Sequence, residues 1–341
     1  ETFTWSSPGF DLNDMGYMKE TDYLMNETEI MYRQTDIWKI FRYNAFTLSQ
    51  KNMWNYGGTP FSNNASLRWQ SMTMNRYEWD VKETFAWNWL DSRLLRGGPD
   101  VRFGSYFLTS AEFNTDKAKR MMFMLKYEGD HNFEGNRFNT ISPSLTFRLG
   151  NHVYLSGQLD YAWNTDEMQY VATTSPLSSS SLTPYYYVMG HMDQKTYGLT
   201  LKLQVNVTPD ISIQFYGAPF TSIAKYDDFK LAADTKSHTF ENRFQRIDPD
   251  HLTYADGVYT IGEGAGQMPF RNPDFRFNEF RSNLVARWEY LPGSTLYFVW
   301  EHRMSNRDNW YSSGWGSNLD RMWGLPATNT FMIKMNYWFN L

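Results

Sequence analysis

From Tyr197 to Val207 the chain alternates without a break. Tyr197, Leu199, Leu201, Leu203, Val205 and Val207 stand against Gly198, Thr200, Lys202, Gln204 and Asn206. Successive side chains of a strand point to opposite faces, so such a run has one apolar face and one polar face. The pattern returns at the end of the chain, with Phe331, Ile333, Met335, Tyr337, Phe339 and Leu341 against Met332, Lys334, Asn336, Trp338 and Asn340. It returns again between Val153 and Trp163, where Val153, Leu155, Leu159, Tyr161 and Trp163 oppose Ser156, Gln158 and Asp160. Between Phe280 and Tyr290, Phe280, Leu284, Trp288 and Tyr290 oppose Arg281, Asn283, Arg287 and Glu289. A soluble sandwich rarely sets Lys, Arg and Gln so regularly on the face away from its core while ending the other face in aromatics. The pattern predicts an all-β fold, a transmembrane antiparallel β-barrel with lipid outside and water within. The terminal Tyr, Trp and Phe residues suit its two interfacial girdles.

Composition agrees. The 341 residues include 23 Tyr, 25 Phe and 14 Trp, too many for an ordinary globular core. Yet the mean hydropathy is −0.61. No window holds the roughly 18 consecutive apolar residues of a membrane helix, which excludes a helical membrane protein. The aromatic load argues against disorder. A net charge of −5 leaves no basic footprint for nucleic acid, and the absence of cysteine excludes disulfides and thiolate metal sites. Glu1 opens directly into Phe3-Thr4-Trp5 with no leader peptide, so a processed chain is expected and export is inferred from the rest.

The turns sort into two kinds. Short ones at Gly150-Asn151, Thr208-Pro209-Asp210 and Leu291-Pro292-Gly293-Ser294 carry turn chemistry and are expected to face the periplasm. Long ones at 164–183, 221–276 and 303–329 are expected to be extracellular. Strands are predicted near 2–7, 22–33, 38–50, 65–75, 77–90, 103–114, 118–128, 137–149, 152–164, 184–207, 211–223, 277–290, 295–305 and 329–341. That makes about 14, an even number as single-chain outer-membrane barrels prefer. The chain is read as one domain, residues 1–341, in a bacterial outer membrane. The closing Tyr337-Trp338-Phe339 resembles the insertion signal of the barrel-assembly machinery, and reads equally as a final lipid-facing strand.

Several stretches resemble one family. They are Phe10-Asp11-Leu12-Asn13-Asp14-Met15-Gly16-Tyr17, Asp193-Gln194-Lys195-Thr196 leading into the 197–207 run, and Pro209-Asp210-Ile211-Ser212-Ile213-Gln214-Phe215-Tyr216. Phe280-Arg281-Ser282-Asn283-Leu284-Val285-Ala286-Arg287-Trp288-Glu289-Tyr290 and Pro292-Gly293-Ser294-Thr295-Leu296-Tyr297 complete the set. The chain is similar here to Bacteroidota outer-membrane proteins that join a module like carbohydrate-binding family 9 to a C-terminal barrel of unassigned function. The resemblance implies an outer-membrane barrel and a longer native N-terminus carrying that module. It also implies that upstream strands, or strands of another chain, complete a larger wall. It transfers no sugar-binding residue to these 341 positions.

Catalytic spacing is not found. His131, His152, His191, His238, His251 and His302 are scattered and never adopt metal-ligand spacing. No Ser, His and Asn or Asp set is singled out for a membrane hydrolase. Thr84-Phe85-Ala86-Trp87-Asn88-Trp89 reads as girdle. Asp11, Asn13 and Asp14 before Gly16, and Asp248, Asp250 and Asp256, are weak calcium candidates. The same residues build Asx-turns without metal, and no cofactor is expected. Tyr185, Tyr186, Tyr187, Trp310, Tyr311 and Trp315 are rim aromatics that stack on sugars or partners, or pack the loops together. Ser178 to Ser181 reads as loop.

Lys202, Gln204, Arg281, Arg287, Glu289 and Lys334, with Glu301, are the expected lumen-facing set, either lining a polar channel or plugging a narrow lumen with ion pairs. For about 14 strands either is sterically allowed. The favoured function is a non-enzymatic anchor or scaffold barrel in an envelope complex. The alternatives are a porin-like channel or transporter for small solutes or glycans, and a membrane-embedded hydrolase. The expected partners are outer-membrane lipid and lipopolysaccharide, other envelope proteins or surface glycans, and no nucleic acid.

Overall fold

The computed structural model describes residues 1–11, 16, 18, 21–87, 89–177, 185–309 and 314–339. β1 (Thr2–Ser6), β2 (Tyr23–Gln34), β3 (Phe41–Trp54), β4 (Pro60–Thr73) and β5 (Glu78–Trp87) follow one another as antiparallel neighbours. A small hairpin, β6 (Trp89–Asp91) with β7 (Val101–Phe103), interrupts the series before β8 (Tyr106–Asn114) pairs back onto β5. β9 (Met121–Asn132), β10 (Arg137–Leu149), β11 (Val153–Thr174), β12 (Tyr186–Asn206) and β13 (Ile211–Ala232) continue the sheet. β14 (Phe244–Arg246) pairs with the end of β13, and β15 (Leu252–Ala255), β16 (Val258–Ile261) and β17 (Met268–Arg271) form a separate three-stranded sheet. β18 (Phe275–Leu291) rejoins the wall beside β13 and is followed by β19 (Ser294–Asp308), helix α1 (Trp315–Trp323) and β20 (Thr328–Asn336). The main sheet has 15 strands, β14 standing off the path, so fourteen lie side by side from β1 to β20. Among the described residues no pairing joins β1 to β20.

The registers carry the sequence alternation across the whole sheet. Directly paired residues share a face. Leu155, Leu203, Phe215, Leu284, Trp300 and Phe331 form one row, and Val153, Val205, Ile213, Ala286, Phe298 and Ile333 the next. Towards the other edge Tyr32, Phe46, Trp69, Val81, Ala111, Tyr127, Ile141, Tyr161 and Tyr197 continue the apolar face. Away from Tyr197 and Phe280, where helix α1 packs, these side chains are not covered by another layer: Leu155 is 41% exposed, Leu201 40% and Ile333 73%. The face has polar exceptions, such as Glu83, which accepts a hydrogen bond from the Thr109 hydroxyl at 2.6 Å.

The connections segregate by end. Residues 35–40, 74–77, 115–120, 150–152, 207–210 and 292–293 turn the chain briefly at one end. Gly150 (φ +66°) and Gly293 (φ +79°) adopt the left-handed backbone that glycine takes at no steric cost. The Thr208 hydroxyl accepts from the backbone N–H of Ile211 at 3.0 Å and holds the turn before β13. At the other end lie the longer connections, those between β5 and β8, β11 and β12, β13 and β18, and β19 and β20.

Here the structure corrects the expected loops. β11, β12 and β13 span 22, 21 and 22 residues, about twice the 9–11 that a tilted strand needs to cross a bilayer. The strands expected to stop at 164 and 223 therefore run on to Thr174 and Ala232, and much of the 164–183 and 221–276 stretches is sheet. The sequence hides this because two-face alternation is broken by register shifts between Asp166 and Gln169 and between Met189 and His191. Asp228 at φ +43° marks the same irregularity on β13. Beyond those shifts β11–β13 run past their neighbours as a three-stranded blade whose two faces are both covered, so both become apolar. Leu95, Val101, Met168, Met189 and Phe244 form one core, and Val188, Phe229, Ile261 and Phe270 form another on β15–β17. A further correction concerns the last strand, which ends at Asn336 rather than 341. Trp338 instead donates its backbone N–H to the Ser294 hydroxyl at 3.0 Å.

Candidate functional site

Two regions concentrate polar chemistry. The first is the face opposite the apolar rows. Ser156, Lys202, Tyr216, Asn283, Glu301 and Thr330 form one row of it. Gln204 pairs with Gln214, Arg287 with Tyr297, Tyr297 with Lys334, and Arg281 with Arg303, so all six residues expected on the polar side share this face, Glu289 included. Much of its charge is paired along the wall: Arg281 and Arg303 each reach Glu279 at 2.9 Å, Lys126 reaches Glu128 at 2.7 Å, and Arg68 pairs with Asp80.

The second region is the projecting blade and the segments folded on it, together the cap. Excursion 88–105 and segment 233–246 interlock, with the Thr235 hydroxyl donating to Asp100 O at 2.7 Å and Arg102 N–H to Thr235 O at 2.9 Å. Arg243, whose side chain is 1% exposed, is their hub. It donates to both carboxylate oxygens of Glu134 (2.7 and 3.0 Å), to Arg102 O and to Ser237 O (both 2.8 Å). Glu134 lies in the β9–β10 turn, where the Asn132 side chain accepts from the N–H of Glu134 and of Asn136, both at 2.9 Å. That turn therefore presents Glu134 to the hub and leaves Phe133 77% exposed.

Beside the hub, Glu167 of β11 meets His191 of β12 at 3.0 Å. Lys230 of β13 is 1% exposed, with its ammonium 4.0 Å from Glu167 and 3.7 Å from Asp228. Both distances are too long for hydrogen bonds. Burial pushes the Lys230 ammonium below its ordinary range, against the pull of Asp228 and Glu167. Burial likewise raises the Asp166 carboxyl, with Met168 N–H opposing. For His191 burial acts to lower the pKa, and Glu167, with Asp193 and Asp227, outweighs it, so the net shift is upward. A raised folded-state pKa means that the folded state holds this proton more tightly. The stability His191 contributes is full below about pH 6.5 and is lost as pH rises through the raised value. Amide exchange around Met168 and Gly190, corrected for intrinsic rate, is expected to be slower at pH 6 than at pH 8.5, and His191→Gln to remove the difference. Equal protection at both pH values would refute this.

The remaining expected sites are dispersed. Tyr185 is 70% exposed, whereas Tyr187 packs on the Leu95 core. Tyr186 is half-buried at the start of β12. Trp315 stacks on Tyr197 with ring centres 5.8 Å apart and planes within 7°, so it packs a loop helix on the wall. Trp323 at the far end of that helix meets Phe280 at 4.9 Å. Trp310 and Tyr311 lie outside the described residues, as do Asn13 and Asp14, while Asp11 is exposed. Asp248 accepts from Asp250 N–H at 3.0 Å and caps a single 3-10 turn, the Asx use of such residues. Among the described residues no three His, Asp or Glu side chains gather in metal-binding geometry.

Glu134, Glu167, Lys230, Phe133 and Arg243 were missed by sequence reasoning. No local motif marks them, because they come from the β9–β10 turn, β11, β13 and segment 233–246, which only the fold brings together. Comparison with family models shows that residues 2–341 match a family described as Domain of unknown function (DUF5916). The chain belongs to this DUF5916 family. Comparisons with curated proteins and with solved structures give no match. The DUF5916 match therefore fixes kinship over the full wall and cap together, and leaves function to be argued from the geometry.

Proposed function

We propose that the fourteen-stranded wall closes as a transmembrane β-barrel in a bacterial outer membrane and serves as the anchor or scaffold of an envelope complex, holding its cap at the cell surface. The observation that carries this is the apolar face, which runs across the sheet and is exposed away from the patch that helix α1 covers. Soluble monomers rarely show apolar patches beyond a few hundred Å², whereas a lipid-facing wall requires them. Short turns at one end and long excursions at the other support the same placement, periplasmic and extracellular respectively. The likeness to Bacteroidota barrels joined to a carbohydrate-binding-like module supports an anchoring role, and the proposal assigns the chain no catalytic step.

Charge pairing along the wall and a cap built on two cores favour the scaffold. One observation favours a channel instead: Lys202, Gln204 and Lys334 are exposed on the polar face. The chain has no cysteine, so single-cysteine variants report cleanly. Leu155→Cys and Leu284→Cys are expected to resist a water-soluble maleimide in intact membranes and to react in the unfolded chain. Rapid labelling of both in the membrane sinks the barrel. In planar bilayers the purified protein is expected to be electrically silent, and stable unitary conductance would move the channel reading ahead.

A further inference from the structure

We infer that the cap holds a binding site for a neutral glycan, centred on Lys230. A cavity of about 590 Å³ opens where the β9–β10 turn, β11, β13 and segment 240–246 meet. That size is within the roughly 300–1,000 Å³ of small-molecule sites. Lys230 lines it, and among the described residues its Nζ has no hydrogen-bond partner although the residue is 1% exposed. A buried ammonium without an acceptor is costly, and the nearest carboxylates stop short at 3.7 and 4.0 Å. What the site lacks is an oxygen delivered from the cavity side.

The remaining lining says which kind of molecule brings it. Phe240 and Phe244 stand with ring centres 5.5 Å from Nζ, and Phe133 offers a nearly free ring at the mouth. Phe240 and Phe244 already face the Lys230 ammonium, so Phe133 is the ring that suits the C–H face of a pyranose. Glu167 and Glu241 supply acceptors for ring hydroxyls, and Arg246 a donor. The charges argue for neutrality. Glu134 is already matched by Arg243, and Asp228 stands 3.7 Å from Lys230 and 3.6 Å from Arg246, so the two cations already face Asp228, Glu167 and Glu241. An anion would face Glu167 and Glu241, and a cation would meet Lys230 itself. A molecule of many hydroxyls and no charge satisfies Lys230 without either conflict. The inference rests on the preceding reading only for the side of the membrane the cavity faces. Detergent-purified protein tests the cavity alone.

The test is an array of neutral oligosaccharides (glucose, galactose and mannose oligomers) beside acidic ones bearing glucuronate or sialate, probed with the purified full chain. The expected result is binding to one or more neutral glycans, falling at least tenfold in Lys230→Met and in Phe133→Ala. Lys230→Met keeps the length of the buried side chain, and Phe133 is exposed; folding of the cap is checked in both by amide-exchange protection of 233–246, and folding of the wall by heat-modifiable migration. If Lys230→Met does not fold, Phe133→Ala alone decides. Binding to no neutral glycan, binding to acidic glycans only, or binding that survives either folded variant overturns the site.

Discussion

Leu201→Arg is expected to lower the stability of the protein in bilayers by roughly 2–4 kcal/mol, while Thr200→Arg, one residue away, costs about 1 kcal/mol or less. Leu201 is at the centre of the 197–207 alternation and on the apolar face, opposite Gly157 and Gly217 on the neighbouring strands. Those two glycines leave its side chain projecting, and it is 40% exposed. The two competing environments give different answers at this position. In water, an arginine on an exposed surface stays within about 0.5 kcal/mol of neutral. In hydrocarbon the guanidinium must be solvated by local thinning or by water drawn inward, which sets the larger cost. Thr200 points to the polar face, so its replacement samples water in either case. Urea-driven unfolding from lipid vesicles measures both variants. A neutral Leu201→Arg would leave the apolar face unexplained by lipid and would remove the main support for the barrel.

Much of the wall was legible in the sequence because the signal is local. Each run of alternating residues fixes its own faces, and the expected strands at 137–149, 211–223 and 277–290 overlie β10, β13 and β18. Turn residues such as Gly150, Thr208 and Gly293 placed the short ends. Three kinds of feature were not legible. Where β11–β13 leave the wall, the strands change from one apolar face to two, and Met168, Met189 and Phe229 break the period that identifies a strand elsewhere. Helix α1 was also missed, since Trp315 and Trp323 read as loop aromatics until packing on Tyr197 and Phe280 gave them partners. The cap cluster was the least legible. Glu134 and Arg243 carry no motif, and the sequence separation of 109 residues between them closes only through the fold.

That same pair yields the largest expected effect in the cap. Glu134→Ala is expected to destabilise the interlocked 88–105 and 233–246 segments by roughly 3–5 kcal/mol, the usual cost of leaving one buried charge uncompensated. Arg243 cannot escape to water: its side chain is 1% exposed and is tied to Arg102 O and Ser237 O, both at 2.8 Å. Glu134 also accepts the Gly104 N–H at 3.0 Å, and a methyl group at Gly104 would stand 2.5 Å from the Glu134 Cδ, so glycine is needed for that approach. One carboxylate thus joins three connections of the chain. The loss is local, because the wall strands pair independently of it. Glu134→Ala should expose 233–246 to limited proteolysis and speed its amide exchange about a hundredfold or more, 1.4 kcal/mol being a factor of ten, while heat-modifiable migration of the wall is kept. Replacing both partners, as Glu134→Ala with Arg243→Met, removes the stranded charge and should recover much of the protection, since apolar replacements of buried ion pairs are often neutral or stabilising. Wild-type exchange in Glu134→Ala would show that Arg243 finds its acceptors without Glu134. A double variant no better protected than the single would show that shape, rather than charge, holds the three connections together.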